Sequence, residues 1–254
     1  GRWRARYTGS KMIQRRRILL MRHGAVEYFD ADGRPVPHPE DVPLTAAGIA
    51  QARAVGAALS ADRIRIDRCV TSGLARTHRT AAEVLDAAGI APPVEHWPQL
   101  QEIRGGRLSG IPDHELRAAF ISAFEGPVPR EVRFLNGESI GELIDRVVPG
   151  MQTLLAAADW DTALVVAHGG VNRALLSWFL TGQPLFLGGL AQDPGCLNVI
   201  DVGPSPATSV VRVMNFCPID TLQTESRLST MEHLLMQYLK LRSPQAGAIT
   251  EDAQ

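Results

Sequence analysis

The 254-residue chain is 45% hydrophobic and 21% charged, with a formal net charge of −1. That balance excludes collagen-like, disulfide-dense and extensively disordered classes, and it suits one α/β domain. The three cysteines, Cys69, Cys196 and Cys217, lack CxxC spacing, which argues against a disulfide framework or zinc site and fits a reducing cytoplasm.

Charge is unevenly placed along the chain. Residues 1–17 hold seven Lys or Arg and no acid, leaving 19 basic against 27 acidic residues in the remainder. Such a leader invites a nucleic-acid or transit-peptide reading, but it has one serine, no long apolar run and no cleavage-like pattern. A disordered basic extension, or residues upstream of a natural start at Met12, is expected instead. No apolar run approaches the ~18 residues that a membrane span needs, and neither a nucleic-acid nor a membrane partner is expected.

From Ile18 to Met21 the chain reads as a short buried strand, and "TAAGIAQARAVGAALS" as a helix capped by Thr45. The run "IRIDRCVTS" reads as a second strand, followed by the helix "GLARTHRTAAEVLDAAG" closed at Gly89. Residues 92–136 are rich in Pro, Gly and Arg, with one short helix near "DHELRAAFISAF", and read as a lid insertion. Next, "ESIGELIDRVVPGMQTLLAAA" predicts a helix kinked at Pro149. "TALVVAH" is a strand, "GGVNRALLSWFL" a helix, and "CLNVIDV" and "SVVRVMNF" late strands. In residues 226–241, Leu228, Met231, Leu234, Leu235 and Tyr238 recur at helical spacing; a helix docked on the body is expected, with a homodimer contact as the alternative. Alternating elements with continuously apolar strands predict a three-layer α/β sandwich over residues 18–254: a mostly parallel central sheet, helices on both faces, and a small lid insertion.

Ligands of open α/β sheets bind beyond the carboxyl ends of the strands. His23 follows "ILLM" and His168 follows "ALVVA" at two such ends, each succeeded by glycine: Gly24, then Gly169 and Gly170. Glycine lets backbone approach a ligand closely, and the helix starting behind His168 aims free N–H groups at the same spot. Adjacent Arg22 adds positive charge, and Arg76 lies just past a third strand end, where its forked guanidinium suits phosphate oxygens. A solvated helix arginine is an equal alternative for Arg76. Together these groups predict an anion site.

The ordered segments "LMRHG", "PLTAAGIAQA", "TSGLARTHRTA", "LQEIRGG", "GES" and "VVAHGGVNRALL" resemble the histidine phosphatase superfamily, which includes the cofactor-dependent phosphoglycerate mutases. The resemblance implies that His23 is the nucleophile that becomes phosphohistidine, and that Arg22, Arg76 and His168, with the Gly169 backbone, hold the phosphoryl group. It also implies that Glu102 exchanges the proton of the leaving oxygen; the alternative is a surface glutamate paired with Arg104 or Arg107. No metal or cofactor is implied, and no HExxH or clustered His and Asp ligands are evident. Where the family commonly has Glu-Thr and a later asparagine, Ala25, Val26, Glu27, Tyr28 and Phe29 stand here. Gly73 replaces a usual proline, at a turn expected to accept either.

The expected activity is therefore hydrolysis of a small phosphorylated metabolite. The alternatives are a mutase, a protein phosphatase or a non-catalytic binding protein. For a mutase, Arg104, Arg107, Arg117 and Arg130 would supply carboxylate binding. Substrate choice is expected at a variable edge formed by Glu27, Tyr28, Arg34, Arg104 and Arg107, with Gln192 to Asn198 either bordering the site or forming a plain turn.

Overall fold

The protein was analysed as a computed structural model that describes residues 13–32, 34–223 and 227–242. Its central sheet has six strands: β1 (Arg16–Arg22), β2 (Arg68–Thr71), β3 (Val94–His96), β5 (Thr162–Ala167), β7 (Leu197–Val202) and β8 (Val210–Phe216). The spatial order is β3-β2-β5-β1-β7-β8. The first four run parallel, and β7 and β8 close one side antiparallel.

The continuous apolar runs follow from burial on both faces. Ile18 and Leu20 of β1 pack toward α4 (Ile140–Ala156) and α5 (Gly169–Thr181), whereas Leu19 and Met21 pack toward α1 (Ala46–Ala61) and α2 (Ala75–Ala88). Helix boundaries obey local chemistry. The Thr45 hydroxyl accepts from the Gly48 amide, Gly89 ends α2 at φ 69°, and Ser139 with Glu142 forms a capping box for α4. α4 continues through Pro149 as one helix.

Three boundaries differ from expectation. Strand β1 starts at Arg16, so the last two residues of the basic extension are structural: Arg17 pairs with Asp201 and Arg16 stacks over Trp160. Residues 1–12 lie outside the described residues. β3 falls inside the expected insertion but belongs to the sheet edge, because its backbone pairs with β2. The remaining insertion holds short 3-10 turns, α3 (Leu116–Ile121) and the two-residue β4 (Pro127–Val128), which pairs with β6 (Phe186–Leu187).

The third boundary is that of the last helix, α6, which spans Thr230–Arg242 and so starts later than the spacing predicts. It docks on the body through the insertion: Leu235 is buried with Phe120, Leu116 and Ile111, and Tyr238 lies 5.8 Å from the Phe120 ring. Arg242 ties it to Asp113, while Leu228 is exposed ahead of the helix. Among the described residues no helix is long and apolar enough to cross a membrane.

Candidate active site

Parallel pairing of β1 and β2 with β5 aligns three strand ends. Arg22 sits opposite Ala167 and Thr71 opposite Val166, so His23, His168 and Ser72 emerge side by side. The two imidazoles meet edge to face with centroids 5.2 Å apart, 2% and 0% exposed. Gly24 is required here by packing, since a Cβ would fall 2.4 Å from the Gly48 carbonyl oxygen.

Hydrogen bonds define both tautomers. His23 Nδ1 lies 2.8 Å from its neighbour's Gly24 carbonyl, an acceptor only, so Nδ1 carries the proton and Nε2 keeps its lone pair. The Thr77 hydroxyl donates to the Leu74 carbonyl and therefore accepts from Ser72 Oγ at 3.0 Å. Ser72, having given its proton to Thr77, accepts from His168 Nε2 at 2.8 Å. Among the described residues His168 Nδ1 has no partner, and it is buried. Burial, then Arg22 and Arg76, push His23 well below the ordinary histidine value; burial, then His23 and the same arginines, do likewise for His168. Both rings are neutral near pH 7.

Around them stand buried arginines. Arg22 Nη1 donates to the Gln192 carbonyl (2.5 Å) and to Thr230 Oγ1 at the start of α6 (3.0 Å). Arg76 Nη1 donates to the Pro39 carbonyl at 3.0 Å. The Nε atoms of both are buried and unpartnered. A third, Arg173, bonds the Gly169 and Gly188 carbonyls and is lowered to about 10 by burial and by Arg22. None of the three has a carboxylate partner among the described residues. Buried charge is ordinarily paired, so this constellation is shaped for an anion.

Glu102 is brought to the same place. Its carboxylate accepts from the Gly170 amide at 3.1 Å in the first turn of α5, and from the Ile103 amide at 2.9 Å. A Cβ on Gly170 would fall 2.6 Å from Glu102 Oε1, so glycine there permits the approach. Neither Arg104 nor Arg107 pairs with it; both are exposed.

The expected edge divides. Glu27 and Tyr28 line a cavity of about 470 Å³ that also borders Gln51, Asp193, Thr230 and His233. It touches the site through Thr230 and through Gly195, whose amide donates to the His23 carbonyl. Arg34 projects into solvent with Asp32, and Arg34, Arg104 and Arg107 are not part of that wall. The segment Gln192 to Asn198 does border the site, through Gln192 and Gly195. Gly73 has φ +85°, which proline's ring forbids, so this turn accepts glycine and not proline. His38, Glu40 and Asp41, dispersed among prolines, bring ligand atoms within 4.8 Å of one another on the exposed turn whose Pro39 carbonyl accepts from Arg76.

Sequence reasoning missed Arg173, Ser72, Thr230 and Arg146. Arg173 carried a signal, four residues after Gly169 on one helix face; Thr230 and Arg146 had none, because long-range packing delivers them.

The sequence model of the histidine phosphatase superfamily (branch 1) matches residues 18–215. The chain belongs to that superfamily. This histidine phosphatase is 34% identical over 172 residues to a 2,3-bisphosphoglycerate-dependent phosphoglycerate mutase of Methylobacterium sp. (strain 4-46), covering 63% of this chain and 79% of the relative. It is 32% identical to the probable phosphoglycerate mutase GpmB of Serratia proteamaculans, covering 66% and 76%. Among solved structures, the alpha-ribazole phosphatase of Shigella flexneri superposes with a TM-score of 0.58 at 26% identity, over 78% of this chain and 96% of that one. A mycobacterial glucosyl-3-phosphoglycerate phosphatase in complex with VO3 gives 0.60 at 21% identity, over 79% and 98%, a likeness of fold.

Proposed function

We propose that this histidine phosphatase, a phosphoric monoester hydrolase by family, hydrolyses a small phosphorylated metabolite through a phosphohistidine at His23. The observation that carries the reading is the neutral His23, its Nδ1–H held by the Gly24 carbonyl, set among buried arginines that lack carboxylate partners. In the first step the His23 Nε2 lone pair forms the N–P bond as the P–O bond to the alcohol breaks; Glu102 gives the departing oxygen its proton. Water then attacks phosphorus as the N–P bond breaks and its electron pair returns to His23 Nε2; the water's proton goes to Glu102, and phosphate leaves. Arg22, Arg76 and the α5 amides stabilise the charge on the equatorial oxygens, and His168 joins them when its buried Nδ1 takes up a proton as the anion binds.

The mutase names of the sequence relatives support phosphoryl retention as a second reading. Of the four arginines that could take a sugar-acid carboxylate, Arg117 and Arg130 are engaged on the surface by Glu125 and Asp145, whereas Arg104 and Arg107 are exposed and carry no ion pair among the described residues. Phosphate release in EDTA, across sugar phosphates, phosphorylated sugar acids, nucleotides, phosphoamino acids and an aryl phosphate, tests the choice. Release by wild type and none by His23→Ala supports the hydrolase; isomerised sugar acid without phosphate release supports the mutase.

A further inference from the structure

Arg146 lies on α4 rather than at a strand end, and its side chain is only 18% exposed. Its Nη1 donates to the carbonyls of Gln99 (2.8 Å) and Gln101 (2.6 Å), and its Nη2 to the carbonyl of Glu102 itself (3.0 Å). Nε and Nη2 also form a forked pair with Glu138 at 2.7 and 2.9 Å. Glu138 in turn accepts the Arg104 amide at 2.9 Å. One ion pair thus holds the backbone on both sides of Glu102.

Among the described residues the Glu102 carboxylate has no side-chain hydrogen bond or ion pair; it accepts from the backbone amides of Ile103 and Gly170. Where that carboxylate sits therefore follows where the 99–104 backbone sits. We infer that Arg146, neutralised by Glu138, is a positioning residue for proton transfer, holding this backbone so that the Glu102 carboxyl meets the leaving oxygen. The inference rests on the reading of Glu102 given above. A lysine cannot replace it, since one ammonium cannot span three carbonyls and a carboxylate that a planar fork reaches together.

Misplacing a catalytic group by about 1 Å costs on the order of 10²-fold. The cost should fall selectively, because a basic leaving oxygen needs its proton and an acidic phenol does not. The test compares phenyl phosphate with 4-nitrophenyl phosphate, nearly the same shape with different leaving-group basicity, for Arg146→Lys, Glu138→Gln and Glu102→Gln. Expected for Arg146→Lys is a kcat/KM loss of about 30- to 100-fold on phenyl phosphate and under about 5-fold on 4-nitrophenyl phosphate. Glu138→Gln should give a smaller loss of the same pattern, and it carries the test if Arg146→Lys misfolds. A selective loss in Glu102→Gln with equal or absent losses on both substrates in the other variants overturns the inference. A non-selective Glu102→Gln overturns the acid–base reading instead, and the positioning role falls with it.

Discussion

His23, Arg22 and His168 stand at the ends of β1 and β5, adjacent strands whose Ile, Leu and Val side chains are buried on both faces. Thr230, the Pro39–Glu40 turn and Glu102 reach the same site from a terminal helix, a proline-rich loop and an irregular insertion, each through a few hydrogen bonds. The first group is placed by a sheet register that cannot slip without exposing a core face. The second is placed by contacts that can be exchanged one at a time, so on the proposed reading the nucleophile and the anion site belong to the strand ends, and the proton donor and the choice of substrate to the rim.

Substitutions should separate the two. His23→Ala is expected to lower turnover by about 10⁴-fold or more while the fold is retained, because the covalent route disappears; circular dichroism alongside phosphate release checks both halves. Arg22→Ala or Arg76→Ala should cost about 10²- to 10³-fold in kcat, the scale of one lost charge-stabilising donor. Equal losses from a rim variant such as Tyr28→Phe would erase the distinction.

A pH-dependent stability effect comes next. His23 and His168 have folded values below the unfolded one of about 6.5, so between the two the unfolded chain binds more protons. Stability is then fully present above about pH 6.5 and falls as pH drops below it, by up to about 1.4 kcal/mol per pH unit for each ring. Urea midpoints from pH 7.5 to 5 measure this slope, which His23→Asn should reduce. Thr230→Val keeps the shape but removes the hydroxyl that meets Arg22; a rise in KM of about 3- to 5-fold with kcat little changed is expected for one neutral hydrogen bond. Smallest of all, Arg34→Ala, at an exposed position, should stay within about 2-fold of wild type.

The same division explains what could be read from the sequence. Strand ends announce themselves: apolar runs stop at His23 and His168, glycines follow, and a helix begins. Thr45, Gly89 and the start of α4 were legible from capping chemistry. The rim was not, because contacts such as Arg22 to Thr230 span 208 residues and leave no local pattern. Arg34 and Arg107 looked like edge residues by charge and neighbourhood but point to solvent, whereas Arg173 and Arg146, read as ordinary helix residues, are buried against the site's backbone. Gly73 gave a false impression of tolerance, since positive φ is a property of the folded turn.

The central claim is a covalent intermediate on one nitrogen of one residue. Quenching the protein in alkali during turnover of an aryl phosphate, and reading the trapped phosphoimidazole by phosphorus NMR with peptide mapping, tests it directly. The expected result is phosphate on Nε2 of His23, absent from His23→Ala, because Gly24 holds the proton on Nδ1. Phosphate on Nδ1, phosphate on His168, or turnover with no trapped phosphoenzyme would contradict the account.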